Sequence, residues 1–393
     1  MQIDGHHTAT YVAARIAGFS FTEAAKIAYA AQYVDDGTNG GVVLFLDSDY
    51  MYSRIASAHK MVDYNNLVDV ENHLAWIPFH FLPGNGGLPA GEEPEGGELA
   101  KLVCRPDSHV ARDMLRACAK DMGTPRGLHR LGIAMHVYAD TFAHQGFVGA
   151  LHHANQASDV TSGDVKLDKR IRNKTRWELL WASVRNAKAF GQLVLKAIAT
   201  IWHEKRLPVD YFVDFVQRKP VGHAAADVYP DQPYLAWRYT DHTGTVIERD
   251  NPAIFVQAVD QMVRVMRAWR AGDVAMAIDS HHGLDEKSRS VVDRLFRTNT
   301  SIDGEERRRA WLHAISSGEF DFGNEIPTYV GKGQGSWKEI AIGTEKVADS
   351  GYERFGFKTE FIHSDWKLFH DALQAHRSAV IHDVLPRYGI CAA

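Results

Sequence analysis

Cysteine is nearly missing from this chain. Cys104, Cys118 and Cys391 are the only three in 393 residues. None forms a Cys-x-x-Cys pair, and the odd count argues against a disulfide framework or a cysteine-based zinc site. No uninterrupted apolar run reaches membrane length. The opening, Met1-Gln-Ile-Asp-Gly-His-His7, has neither the basic region nor the apolar stretch of a secretory signal. The expectation is a chain without integral membrane segments, cytoplasmic at synthesis, with signal-independent export left open. An excess of positive charge is also lacking: 44 Lys and Arg face 49 Asp and Glu, a net −5. That balance gives no basic footprint for gripping duplex nucleic acid. No fixed-period repeat is visible.

What the chain does have is histidine, 21 of them against 14 Tyr and 9 Trp, many embedded among aromatics. The pattern around them is mainly helical. Residues 10–18 predict a helix ended by Gly18. Ser20 and Glu23 form a capping-box pair opening a second helix that closes at Asp35-Asp36-Gly37. Residues 37–50 predict a turn and a short strand or buried extended piece, and 51–73 are ambiguous and partly helical. Two prolines interrupt 76–84, and the Gly-, Pro- and Glu-rich residues 84–98 are the clearest flexible loop. Helices follow over 108–121 and from 125 onward. A polar surface excursion over 155–176 precedes a long amphipathic helix over 177–205 and a short one over 207–217. Further helices are predicted over 252–271, 272–316 and 364–385, with a Gly-rich aromatic segment at 318–356. The predicted fold class is all-α: a multi-helix bundle with long irregular loops. It would comprise one domain over 1–250 and a C-terminal extension, 251–393, packed on the same core.

The helix predicted from 125 carries His136, Asp140 and His144 at successive four-residue steps, fanning over about 80° of one face. Val137, Tyr138, Ala139, Thr141, Phe142 and Ala143 fill the gaps, so polar, metal-competent groups project from an element that otherwise looks buried. Imidazole suits zinc, and a carboxylate can bridge two ions. Four other places offer ligands. His6 and His7 lie beside Asp4. Asp35 and Asp36 sit at a helix C-terminus, where acids are electrostatically disfavoured unless a cation is near. His80 lies between Phe79 and Phe81, and His223 and Asp227 are again four apart. Each has a plainer alternative: a frayed terminus, a turn signal, a hydrogen-bonded core histidine, a helix-start pair. His59, His73, His109, His129 and the pair His152-His153 fit no such pattern and are expected to be surface or structural.

In this order the residues resemble the trinuclear zinc site of a superfamily comprising bacterial zinc-dependent phospholipases C and fungal single-strand nucleases. Its members are helical phosphodiesterases and phosphomonoesterases. Met-Gln-Ile-Asp-Gly-His-His, Ala-Ala-Gln-Tyr-Val-Asp-Asp and Ile-Pro-Phe-His-Phe-Leu-Pro-Gly also resemble an uncharacterised bacterial family related to it. The resemblance covers roughly residues 1–235. By position it implies one zinc ion on Asp36 (or Asp35), His80, His136 and Asp140, and a second on His144, His223 and Asp227. A third would sit on Asp140, His6 and a group near the N-terminus.

Two departures stand out. Three residues rather than the family's five separate Asp140 from the next His. A processed N-terminal Trp has no counterpart, so Asp4, His7 or water would substitute. The implied activity is metal-dependent phosphoester hydrolysis through a metal-activated water, with Asp35 or Asp36 orienting or deprotonating it. A lipid or other small phosphoester is the favoured substrate, and single-stranded nucleic acid is compatible. Tyr33, Asn72 and Gln145 are available to support the ligands. Two rival readings share the metal centre: hydrolysis of an amide or carboxylic ester, and a non-catalytic, metal-stabilised binding protein. An HD-type phosphohydrolase would rest on His382-Asp383 alone, without the upstream His spacing.

Overall fold

The computed structural model describes residues 1–59, 69–185, 220–344 and 354–392. A π-helical turn, Asp4–Ala9, runs straight into α1 (Thr10–Ile16). Then come α2 (Phe21–Asp36), β1 (Gly41–Phe45), β2 (Met51–Arg54) and α3 (Asp69–Phe79). Next are α4 (Gly97–Leu102), α5 (His109–Ala119), α6 (Gly127–Ala143), β3 (Ala157–Thr161) and α7 (Val165–Arg185). After 220 the order is β4 (Ala236–Asp241), β5 (Val246–Asp250), α8 (Asn251–Arg270), α9 (Glu286–Thr298) and α10 (Gly304–Ser316). The chain closes with α11 (Trp337–Ile342), β6 (Arg354–Phe355) and α12 (Asp365–Ser378).

Helix α6 is the axis of the molecule. It is buried on every side from His129 to Ala143, as an element apolar all round must be. It packs against α2, α5, α8, α12 and α3. Its closest approach is to α2 at Gly132, where a Cβ would meet the Ile27 carbonyl at 2.4 Å and the Ala30 Cβ at 2.7 Å. Helix α2 starts at the expected capping box, Ser20 accepting from the Glu23 amide while the Glu23 carboxylate accepts from Ser20. Gly18, at φ +94°, ends the preceding helix as its left-handed C′ residue.

The all-α expectation is overturned by two three-stranded sheets, ordered β2-β1-β6 and β3-β4-β5; the fold is mixed, with helices predominant. The clearer miss is the β4–β5 hairpin. Trp237 and Tyr239 are buried between exposed Ala236 and Arg238, a period-two signal, and 241–244 supply the turn. Strand β3 and the first turns of α7 replace the polar excursion predicted over 155–176. The helix predicted over 177–205 is described only to Arg185, as the second half of α7; its remainder and the helix predicted over 207–217 lie outside the described residues.

One hydrophobic cluster contains Met1, Tyr11 and Val12 together with Phe255, Phe296, Trp311 and Val384. The N-terminal segment and the 251–393 stretch therefore share one core. No helix among the described residues is long and apolar enough to cross a membrane.

Candidate metal centre

The donors converge where α2, α3 and α6 meet the N-terminal turn. Helix α6 presents His136 and Asp140 one turn apart, and His144 is its C-cap, its N–H donating to the Asp140 carbonyl. His80 follows α3, its amide held by the Trp76 carbonyl at 2.9 Å. Asp35 comes from the last turn of α2, and His6 from the buried turn at the N-terminus.

Asp140 Oδ2 and two imidazole nitrogens are nearly equidistant from one another. His80 Nδ1 and His136 Nε2 lie 3.3 and 3.2 Å from that oxygen and 3.2 Å from each other. Asp35 Oδ1 stands 3.9 Å from both imidazole nitrogens. Ligands about 2.0–2.1 Å from a tetrahedral zinc stand about 3.3 Å apart, so the spacing suits one ion. The other carboxylate oxygen, Asp140 Oδ1, lies 3.2 Å from His6 Nε2. His6 is fully buried, and neither ring nitrogen makes a hydrogen bond. An orphaned imidazole beside a carboxylate is costly without a partner such as a cation. A further group gathers Asp231, with His144 Nε2 at 3.1 Å from its Oδ1 and His223 Nε2 at 3.3 Å from its Oδ2.

Backbone carbonyls fix the imidazoles from behind. His136 Nδ1 faces the Ala31 carbonyl at 2.8 Å, His144 Nδ1 that of His80 at 2.8 Å, and His223 Nδ1 that of Asp227 at 2.7 Å. His80 is reversed: Nε2 faces the Ser57 carbonyl at 3.0 Å, leaving Nδ1 inward. A ring N–H donated outward leaves the inward nitrogen unprotonated on a neutral ring, the arrangement metal-bound histidines use. These carbonyls were not legible in the sequence, because they depend on which backbone passes behind each ring. Of the side chains proposed for that role, Gln145 donates to the Phe142 carbonyl and Tyr33 packs against Phe369. The Asn72 side chain lies outside the described residues.

Charge sharpens the picture. The Met1 α-amino group lies 2.7 Å from Asp140 and 3.0 Å from Asp231. Burial alone would lower its pKa, but Asp140, Asp231 and Asp35 push it up to about 11. Burial would raise Asp140, yet the His144 imidazole, the Met1 amine, His6 and His136 hold it well below the ordinary carboxylate value. Asp231 is held down similarly, against its burial, by the amine and His223. Asp35 moves the other way, raised by burial. Burial lowers His6 and His144. Three carboxylates thus face one ammonium, which leaves room for cationic charge.

Two predicted ligands are not brought to the cluster. Asp36 turns away: its carboxylate accepts from the Tyr329 hydroxyl at 2.5 Å and lies 3.7 Å from Lys332 Nζ. Asp35 occupies the predicted place instead. Asp227 accepts from the Thr175 hydroxyl at 2.6 Å, and Asp231 stands beside His144 and His223 in its place. The His223-x-x-x-Asp227 spacing presumed helix. Gly222 and Asp227 have φ of +52° and +55°, and between them the chain makes only a 3-10 turn, Ala224–Ala226. His7 is buried without joining the cluster, its pKa lowered to about 3 by burial and by Arg308. His382 and Asp383 are both exposed.

The cluster is mostly sealed. Phe81 stacks on His144 with centroids 4.5 Å apart, and Trp76 lies 5.1 Å from His80. Side-chain exposure rises to 33% at Asp35 and 18% at His223, against 0–5% at His6, His80, His136, Asp140 and His144. Access is therefore from those two ends. A separate cleft of about 720 Å³, lined by Cys104, Arg105, His109 and Gln145 among others, includes none of the donors.

No curated protein and no solved structure matches the chain. A family model does, over residues 1–384, under the description "family of unknown function". Because that match spans nearly the whole chain, the protein belongs to this family, DUF6765.

Proposed function

We propose that the protein is a metal-dependent hydrolase of phosphoesters, resembling phospholipases C in its centre, with zinc as the metal. The observation that carries this reading is the near-equilateral set of His80 Nδ1, His136 Nε2 and Asp140 Oδ2 at 3.2–3.3 Å, each imidazole anchored behind by a carbonyl. Asp35, His80, His136 and Asp140 would hold one ion. His144, His223 and Asp231 would hold another, and Asp140 with His6 a third.

Divalent ions held there would acidify a water and offset charge on a phosphoester's oxygens. The chain's own contribution is then specific. Asp140 presents its two oxygens to two neighbouring positions. Four rings, each with its other nitrogen on a backbone carbonyl, offer the inward nitrogen as a ligand. Asp35, the most exposed of these acids, stands at the entrance, where it can orient a water or accept its proton. The net charge of −5 favours a small or lipid phosphoester over long polyanions.

The test pairs elemental analysis of zinc-replete protein with hydrolysis of bis-p-nitrophenyl phosphate and p-nitrophenyl acetate. The expectation is more than one zinc per chain and phosphodiester turnover abolished by His136→Ala and by Asp140→Ala. Zinc binding with ester turnover alone would point to the carboxylic ester reading. Zinc binding with no turnover would leave ions that only staple helices. Protein that takes up no zinc would end the metal reading. His152→Ala, outside the cluster, is expected to leave turnover unchanged.

A further inference from the structure

Arg307 lies on α10, far along the chain from every donor, and is 1% exposed. All five of its N–H donors are satisfied. Nε and Nη2 fork onto Asp4 at 2.7 and 3.1 Å. Nη2 also reaches Gln2 Oε1 at 2.7 Å. Nη1 reaches Gln232 Oε1 at 2.9 Å and the Ser301 carbonyl at 2.7 Å. The partners matter more than the count. Gln2 and Asp4 belong to the segment that carries Met1 and His6, whereas Gln232 follows Asp231 directly. One rigid planar group therefore fastens two stretches that bring donors to different parts of the cluster.

We propose that Arg307 is a positioning residue for the metal centre: it sets the separation between the Asp140–His6 pair and the His144–His223–Asp231 group. This rests on the metal reading above. The physical ground is the fork. A guanidinium offers five donors in fixed directions, whereas the ammonium of lysine is a point charge with three. Arg307→Lys keeps a positive charge beside Asp4 but cannot hold Asp4, Gln2 and Gln232 at one spacing. Among the described residues no hydrogen bond or ion pair joins Arg307 to Asp35, His80, His136 or Asp140, and the His136 and His80 rings are anchored instead on the Ala31 and Ser57 carbonyls. The variant should therefore discriminate between ion positions.

The experiment is a cobalt titration of the full chain, followed by visible absorption and by competition with a chromophoric chelator. The variants are Arg307→Lys and Gln232→Leu, and the melting temperature of each is measured in chelator. Gln232→Leu cuts only the arm towards Asp231 and leaves the buried Asp4 ion pair intact. Both variants are expected to keep the tightest cobalt at wild-type affinity. The remaining cobalt should weaken by about 10–100-fold, the usual cost of losing a group that orients ligands, with changed absorption bands. The proposal is overturned if both variants titrate like the wild type. It is also overturned if Arg307→Lys weakens every cobalt equally, in step with its chelated melting temperature, while Gln232→Leu changes nothing. Wild-type protein that binds no cobalt would instead sink the metal reading on which the proposal stands.

Discussion

Successive residues of a helix diverge by about 100°, and at the end of α2 that rotation sends Asp35 towards two imidazoles and Asp36 towards Tyr329 and Lys332. Their substitutions should separate accordingly. Asp35→Asn is expected to weaken the tightest metal by about tenfold or more, whereas Asp36→Asn should leave metal stoichiometry unchanged and cost about 1 kcal/mol of stability through the Tyr329 hydrogen bond. Metal titration and urea unfolding of both variants check this, and equal metal loss in the two would show that the wrong acid was assigned. The donor residues were largely legible from sequence, because His136, Asp140, His80, His6, His144 and His223 each stand out as polar groups in apolar or turn surroundings. The choice between adjacent acids was not. It depends on helix phase at a terminus, which a one-residue error reverses.

Between elements, the α2–α6 contact sets how near Asp35 comes to His136. Gly132 is the point of closest approach, and a methyl there would collide with backbone rather than a movable side-chain tip. Gly132→Ala is expected to cost about 1–3 kcal/mol through overpacking and to weaken metal binding as the helices separate. Denaturant unfolding and cobalt titration read the two effects, and a variant as stable and as metal-competent as the wild type would contradict the packing argument.

The segment bearing Asp231 has its own fastening. Tyr229 donates to Asp168 at the start of α7, and Thr161 and Ser162 donate to the same carboxylate. Although burial acts to raise the Asp168 pKa, those hydrogen bonds hold it below the ordinary value. A depressed carboxylate stabilises the fold above its unfolded pKa of about 3.9, and that contribution is lost as pH falls through the folded value. Asp168→Asn should therefore flatten the acid limb of the stability–pH curve below about pH 4; an unchanged limb would count against it. Asp231 itself escaped sequence reasoning because His223 and Asp227 mimic a helical pair, whereas the positive φ values that break the helix are set by tertiary contacts. The β4–β5 hairpin was readable from the alternation of Trp237 and Tyr239 with Arg238 and Thr240.

At the scale of the whole molecule, the centre draws on distant parts of the chain, since α10 reaches back through Arg307 to the N-terminal turn. Bound ions should accordingly stabilise the entire fold. Free metal a thousandfold above its Kd would contribute about 4 kcal/mol, and chelation should lower the melting temperature of the wild type by more than that of an Asp140→Ala variant, which still has the His144–His223–Asp231 group.

The most direct measurement is anomalous diffraction at the zinc edge from crystals grown with zinc. The prediction is at least two peaks: one within bonding distance of His80 Nδ1, His136 Nε2 and Asp140 Oδ2, another beside His144, His223 and Asp231. Fully zinc-equilibrated crystals with no peak among these residues would contradict it.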